Sequence, residues 1–192
     1  MPQANPAALE FLLTRRSRPA KTLTGPVPDK TELETLLQAA ARTPDHGKLE
    51  PWRFVVLTKL ALARLAEAIP AHGAALGLDD EKIAKAQDQF GKADLVVAVI
   101  SSPKPSEKIP QIEQVYSAGA VCLALLNAAL AAGWGANWLS GWASHDRNFI
   151  RDGLGLAEHE NVAGLIHIGT ETNAPPERPR PDVPGITTWI EA

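Results

Sequence analysis

The sequence predicts a single domain of the α+β or α/β class, in which long helices alternate with four or five strands. A length of 192 residues is that of one domain, and a hydrophobic fraction of 45% is that of a chain with a packed core. Apolar residues recur at helical spacing in some segments and form short β-branched runs in others. Since no sequence period repeats and no linker interrupts this pattern, we assign residues 1–192 to one domain.

The N-terminal half predicts three helices and one strand. Asn5 followed by Pro6 combines a capping amide with a proline at the first helical position. Asp29 and Glu32 have the spacing of a capping box for the second helix. A β-branched and aromatic run precedes the third helix, which we expect to end at Pro70. The predicted helices cover residues 5–18, 29–44 and 62–70, and the strand covers 52–57.

The C-terminal half predicts further helices and strands in alternation. Residues 94–100 form a continuous apolar run, which is typical of a strand covered on both faces. The remaining strands are predicted from β-branched, aromatic and glycine-rich segments, with irregular backbone in the tryptophan-rich one. The predicted helices cover residues 81–90, 111–132 and 148–154, and the other strands cover 133–142, 162–168 and 186–190.

The charge and cysteine content exclude several classes of protein. The formal net charge is −3, so the chain lacks the basic field with which proteins bind nucleic acid or anionic lipid. The single cysteine, Cys122, cannot form an intramolecular disulfide or a CxxC metal or redox site. We therefore expect no nucleic-acid partner and a core that is stable without cross-links.

One long segment, from Gln114 to Ser144, carries no charged side chain. A membrane span needs about 20 strongly apolar residues. The apolar part here, residues 118–132, is shorter, rich in alanine and interrupted by Asn127. We interpret it as a helix buried in a protein core. Because residues 1–8 also lack the pattern of a signal peptide, we expect a cytoplasmic protein that does not enter a membrane.

The C-terminal arm, residues 173–192, begins with a segment that contains five prolines and must be extended. It ends in the β-branched and aromatic residues 186–190, which have to be covered by something. Strand addition to a second subunit would cover them, and so would a return of the arm to the sheet of its own chain. The sequence pattern favours neither alternative.

The usual signatures of catalytic side chains are missing from the sequence. It has no GxSxG, no GxxxxGK[ST] and no GxGxxG. None of its five histidines has HExxH spacing, so we expect no metal site. An enzyme-sized core without such residues indicates that a bound organic cofactor would carry the chemistry.

Three segments have residue types that suit a polar, planar ligand. Arg15-Arg16-Ser17 either caps a helix end or forms a cradle for a phosphate, which guanidinium groups bind in bidentate fashion. The turn Arg42–His46 either is a solvated loop or presents donors to a ligand edge. Residues 134–142 (WGANWLSGW) either fill a seam between sheet and helix or contact a flat heteroaromatic ring.

In this order along the chain, these segments resemble the nitroreductase family of flavoproteins. The matching pattern is RRS at a helix end, then RTPDH and PW, then GWGANWLSG, and last a strand that ends in HIGT at Thr170. The sequence is most similar to the compact YdjA-like branch, which shares the PDH and PW turn. The resemblance implies an α+β, three-layer fold with a central mixed sheet between helices. It also implies a homodimer with one FMN at each of two interfaces and a C-terminal arm swapped onto the partner.

The resemblance implies an activity as well. It is that of an FMN-dependent oxidoreductase, which passes a hydride from NAD(P)H through flavin N5 to a nitroaromatic, a quinone or a similar electron-poor acceptor. No side chain is assigned a catalytic role, because the flavin carries the chemistry. The alternative is a protein that binds or stores flavin without efficient turnover.

The residues at the family's flavin positions can be named in this chain. Leu139 stands where members of the branch can carry arginine, which removes one side-chain donor. Residues 128–133 match a stretch associated with the nicotinamide cofactor. Arg178 and Arg180 on the arm are candidates for additional phosphate contacts, but we do not include them in the FMN-binding set. The implied FMN-binding residues are Arg15, Arg16, Ser17, Trp138, Leu139 and Ser140 of one subunit, with Arg42 and His46 of the other.

Overall fold

Helices and strands alternate along the chain as the sequence predicts. The structure is a computed structural model that describes residues 3–191, and in this range it has six α-helices and five strands. The helices are α1 (Pro6–Thr14), α2 (Lys30–Ala40), α3 (Lys59–Ala75), α4 (Asp80–Gly91), α5 (Gln111–Ala131) and α6 (Arg147–Leu154). The strands are β1 (Leu23–Thr24), β2 (Trp52–Thr58), β3 (Leu95–Ser101), β4 (Gly135–Leu139) and β5 (Asn161–Glu171).

The strands form one sheet in the order β1-β5-β3-β2, and β4 also pairs with β5. Every strand pairing within residues 3–191 is antiparallel, which corrects the mixed sheet expected from the sequence. The connections explain the difference. Two helices, α3 and α4, join β2 to β3, so the chain enters β3 in the reverse direction. A single helix joins β3 to β4, but β5 lies between these two strands.

The sheet separates two helical layers, which confirms the predicted three-layer α+β fold. Val96, Ala98 and Ile100 of β3 belong to the core cluster under α3, α4 and α6. Leu95, Val97 and Val99 belong to the cluster under α2 and α5. This alternation follows from the two-residue period of a strand, and all seven residues of β3 are buried.

Helix α5 is the central helix of one layer, as expected from its lack of charge. It contacts α2 and strands β3, β4 and β5, and Val121, Leu125 and Ala129 are fully buried there. By length and composition alone it is the one helix in the described range that could cross a membrane. Its buried side, however, is packed against the protein's own sheet.

The structure differs from the sequence predictions in three further places. Helix α3 continues through Pro70 to Ala75, because Ile69 and Gly73 pack against α4 and offset the missing hydrogen bond of the proline. The short strand β1 was not expected, since it exists through pairing with the distant end of β5. The strand expected at residues 186–190 is absent from the described chain. Ile186 ends a short 3-10 turn, and residues 187–190 are exposed and form no pairing with β1–β5.

Candidate functional site

The first part of the candidate site lies just beyond α1. Asn5 caps this helix by accepting a hydrogen bond from the Ala8 N–H, and the helix ends at Arg15, whose N–H donates to the Phe11 carbonyl. The Arg15 Nη2 then donates to Ser17 Oγ over 3.0 Å. A cavity of about 320 Å³ opens beside these groups. Its walls include Arg15, Arg16, Arg18, Gly133, Gly135 and Glu171.

The Arg15–Ser17 cradle lies in a cluster that contains more guanidiniums than carboxylates. Burial lowers the pKa of Arg15, and the neighbouring guanidiniums of Arg180, Arg16 and Arg18 lower it further. The Arg15 Nε is buried and has no hydrogen-bond partner in the described range. The one carboxylate that lines the cavity, Glu171, lies 3.4 Å from Arg18. A bound phosphate would supply acceptors for the unpaired nitrogen and reduce the repulsion between the guanidiniums.

The proline-rich arm contributes to this charge cluster. Arg16 donates from Nε and Nη2 to the carbonyl of Pro176 on the arm, each over 3.4 Å. The Arg180 Nη2 lies 2.8 Å from Glu177 Oε1, and its charge acts on Arg15. The sequence offered Arg180 only as a candidate for an additional phosphate contact, because its approach to Arg15 depends on how the arm folds back past α1.

The second part of the site, the Arg42–His46 turn, lies against the N-terminal part of α5. His46 Nδ1 lies 2.7 Å from Glu113 Oε2, in the first turn of α5. Ser117 of α5 accepts a hydrogen bond from Trp52 Nε1 and donates to the Pro44 carbonyl. These bonds hold the turn against the N-terminal part of α5. The Arg42 side chain is exposed and makes no hydrogen bond or ion pair with the described residues.

The two parts of the site lie near opposite ends of α5. The Arg15 cavity includes Leu130 and Gly133 at the C-terminal end of α5, whereas the Arg42–His46 turn contacts its first two turns. A helix of 21 residues is about 30 Å long. The fold of one chain therefore does not bring Arg42 and His46 to the Arg15–Ser17 cradle.

The third part of the site extends along β4 from the cradle. Gly135, its first residue, lines the Arg15 cavity, and Leu139, four residues along the strand, lies about 13 Å farther on. Trp138 is 37% exposed and its indole lies against Gly164, where a methyl group would collide with the ring. Trp138 therefore packs against Gly164 while part of its side chain stays accessible to solvent. Leu139 is half-buried.

Ser140 ends this segment and hydrogen-bonds to a residue that the sequence did not indicate. Its Oγ lies 3.1 Å from His145 Nε2. His145 ends the short turn Trp142–Ser144 and precedes Asp146, the N-cap of α6. The signal for it was its position directly after the tryptophan-rich segment.

Side chains that could act as nucleophiles or bind a metal do not form a cluster within the described residues. Residues 3–191 contain no cluster of three or more potential metal ligands. Cys122 is fully buried on α5, and burial raises the pKa of its thiol to about 12, so that it stays protonated and unreactive. Its sulfur lies under Gly164 in the core. The side chains of the candidate site can therefore bind and orient a ligand.

The sequence and the fold both match known proteins. The sequence profile of the Nitroreductase family matches residues 12–170. "Putative NAD(P)H nitroreductase YdjA" of Escherichia coli K12 is 34% identical over 163 residues, which is 85% of this chain and 87% of that protein. "Putative NAD(P)H nitroreductase" of Haemophilus influenzae is 37% identical over 165 residues, with 85% and 88% covered.

Solved structures show the same fold. A nitroreductase-like family protein from Bacillus cereus superimposes with a TM-score of 0.81 over the whole of both chains, at 25% identity. A nitroreductase with bound FMN from Bacteroides fragilis superimposes with a TM-score of 0.75 at 21% identity, covering 98% of this chain and 100% of the other. On the match of the family profile and the identity to these relatives, the chain belongs to the nitroreductase family.

Proposed function

We propose that this protein is an FMN-dependent oxidoreductase that takes a hydride from NAD(P)H and reduces nitroaromatics, quinones or similar electron-poor rings. One observation carries the proposal: the Arg15 guanidinium is partly buried among three other guanidiniums, with its Nε unpaired at the wall of a cavity. An unpartnered donor in such a setting is costly, and an anion of the size of a phosphate would supply the missing acceptors.

The residues of the cradle would hold the phosphate end of FMN. Arg15 and Arg16 provide planar, bidentate donors, and the Ser17 hydroxyl adds a further polar contact beside Arg15 Nη2. Arg18 is restrained by Glu171 and shapes the wall of the cavity. Backbone of β4, with Gly135 at the cavity, leaves room for the ribityl chain to follow the strand.

The far end of β4 would hold the ring system. When bound, FMN supplies two-electron chemistry, accepting hydride at N5 from NAD(P)H and returning two electrons to an acceptor. The exposed indole of Trp138 offers a flat contact, and Ser140, held by His145, offers a fixed hydroxyl. This chain needs no side-chain nucleophile for that reaction.

The working unit is a homodimer in this proposal. Helix α1 has nine residues and none is buried, so it lacks the tertiary packing on which short helices depend. Helix α5 has an exposed stripe along one face, at helical spacing, formed by Ile112, Val115, Tyr116 and Leu123, with the half-buried Gly119 between them. Antiparallel packing of two copies along this stripe would bring the Arg42–His46 turn of one chain to the cradle of the other.

The arm would swap onto the partner. Val183, Ile186, Trp189 and Ile190 are all exposed in the single chain. Strand β2 is an edge of the sheet, and a largely apolar groove of about 490 Å³ lies between it and α2. A strand added at this edge by the partner's arm would bury these side chains and satisfy backbone groups.

The cradle can be tested by flavin retention. The double variant R15A/S17A should lose FMN on gel filtration and remain folded, while R151A, which removes an exposed arginine paired with Asp152, should stay yellow. Full flavin content in R15A/S17A would contradict the cradle. Rapid mixing of the yellow protein with NADH and with NADPH then separates an enzyme from a storage protein. Fast bleaching supports the enzyme, and a flavin that stays oxidised supports storage.

A further inference from the structure

A second cavity lies beyond the C-terminal end of β4 and shares no lining residue with the Arg15 cavity. Its volume is about 210 Å³, and it opens between α4 and the turn that follows Ser140. This volume is below the range of about 300–1,000 Å³ that is usual for whole small-molecule sites. The cavity therefore suits a substituted ring or part of a larger ligand rather than a dinucleotide.

The polar groups of this cavity are arranged for an anion. Two lysines and no carboxylate line it. Lys82 is already paired with Asp79 over 2.7 Å, whereas Lys85 forms no ion pair with any residue between 3 and 191. Gln89 adds a half-buried amide to the same wall. One ammonium group is thus left to bind a negative ligand.

Ser144 gives an independent indication of a ligand. The residue is 4% exposed, lines the cavity, and its Oγ is buried with no hydrogen-bond partner in the described structure. A buried hydroxyl without a partner is costly, and a ligand oxygen within the cavity would satisfy it. Trp142 supplies an aromatic wall, with its Nε1 donating to the Lys82 carbonyl over 3.4 Å.

Ser140 connects this cavity to the proposed flavin site, because it lines the cavity and also ends the β4 segment assigned to the ring system. We propose that the cavity receives the carboxylate group of an aromatic electron acceptor, with Lys85 and Ser144 as its binding groups. This inference rests on the proposed function and narrows its substrate class to acidic electron-poor rings. The carboxylate would lie beside Lys85 while the reducible ring lies near Ser140.

A binding measurement tests the charge preference without turnover. Calorimetric titration of the FMN-loaded protein with benzoate and with benzamide compares an anion with its neutral isostere. One exposed charge pair is worth up to about 1 kcal/mol, so K85A should weaken benzoate binding about fivefold and change benzamide binding much less. The variant K92A removes a lysine of the same region that is paired with Asp88 outside the cavity, and it serves as the matched control. S144A should also weaken benzoate binding.

Kinetics with two acceptors decide between the inference and the proposed function. K85A should raise KM for 4-nitrobenzoate about fivefold, with a smaller change for 4-nitrobenzamide and with unchanged rates of flavin reduction by NADH and NADPH. Equal effects of K85A on both nitro compounds, or an effect on the reductants alone, would overturn the acidic-acceptor site. A yellow protein that reduces both compounds without preference overturns this inference only. A colourless protein that reduces neither overturns the proposed function together with it.

Discussion

The Arg15–Ser17 cradle and the Arg42–His46 turn differ in how far one chain completes them. The cradle is partly buried, lines a cavity and has an unpaired guanidinium nitrogen. The turn is exposed and its histidine is already paired with Glu113. The cradle is thus arranged to bind a ligand within a single chain. The turn is held rigidly in place at the other end of α5, which suits a role toward a neighbouring subunit.

The largest expected effect comes from separating the two regions. L123E places a charge on the exposed stripe of α5, where burial against a partner would be strongly unfavourable. We expect a folded monomer by sedimentation analysis, with no FMN retained on gel filtration. L60E is the matched control, since Leu60 is 85% exposed on α3 in the other helical layer, and it should remain dimeric and yellow. A dimeric, yellow L123E protein would contradict the proposed interface.

The cradle alone should give the next largest effect. R15A removes a charge-assisted donor from a partly buried site, and such bonds contribute about 1.5–3 kcal/mol. We expect FMN affinity to fall by about 10- to 100-fold, measured by fluorescence titration of the apoprotein. Raising the salt concentration should weaken the wild type more than the variant. An affinity that changes less than twofold would show that Arg15 does not bind the phosphate.

The turn should give a smaller effect than the cradle. R42A removes an exposed guanidinium that has no partner among residues 3–191, so its loss does not disturb the fold of the chain. We expect FMN affinity to fall about fivefold, as for one partly solvated charged contact, with an unchanged thermal midpoint of the apoprotein. An effect of R42A that exceeds that of R15A would reverse the comparison between the two regions.

The smallest effect on flavin binding is expected from a charged pair that belongs to neither region. Arg53 Nε and Nη2 donate to the Glu160 carboxylate over 2.7 Å each, which lowers the pKa of Glu160 from 4.5 to about 2. Since the folded protein binds a proton at Glu160 less readily than the unfolded chain, the pair stabilises the fold above pH 4.5. This contribution is lost as the pH falls from 4.5 toward 2.

Denaturant titrations at several pH values check this prediction. The free energy of unfolding of the wild type should decrease through the acid range, and the decrease should be shallower in E160Q. At neutral pH, E160Q should be less stable than the wild type and bind FMN with unchanged affinity. A change in FMN affinity would show that the pair reaches one of the two regions.

The elements that the sequence predicted well are those set by local chemistry. The N-cap of α1, the capping box of α2 and the fully buried strand β3 all follow from short-range spacing and composition. The continuation of α3 through Pro70 and the strand β1 depend on distant partners, namely α4 and the end of β5. A pattern read along the chain does not contain those contacts.

For the candidate site, too, the sequence predicted the local features but not the contacts between distant segments. Residue types indicated the cradle and the β4 segment, because guanidiniums beside a hydroxyl and exposed aromatic planes are local features. The separation between Arg15 and Arg42 was not predictable, since it depends on where α5 begins and ends relative to both. The proximity of Arg180 to Arg15 was not predictable either, because it depends on how the C-terminal arm folds back toward α1. The hydrogen bond between Ser140 and His145 depends in the same way on the turn that follows β4.

A mixed dimer tests most directly whether the site is built from both subunits. R15A and R42A chains with different affinity tags can be co-expressed and purified for both tags. If Arg42 acts on the partner's cradle, one of the two sites keeps both arginines and the other loses both. We predict that half of the sites bind FMN with wild-type affinity. If no site regains wild-type affinity, and half behave as R15A and half as R42A, the proposal of a shared site is wrong.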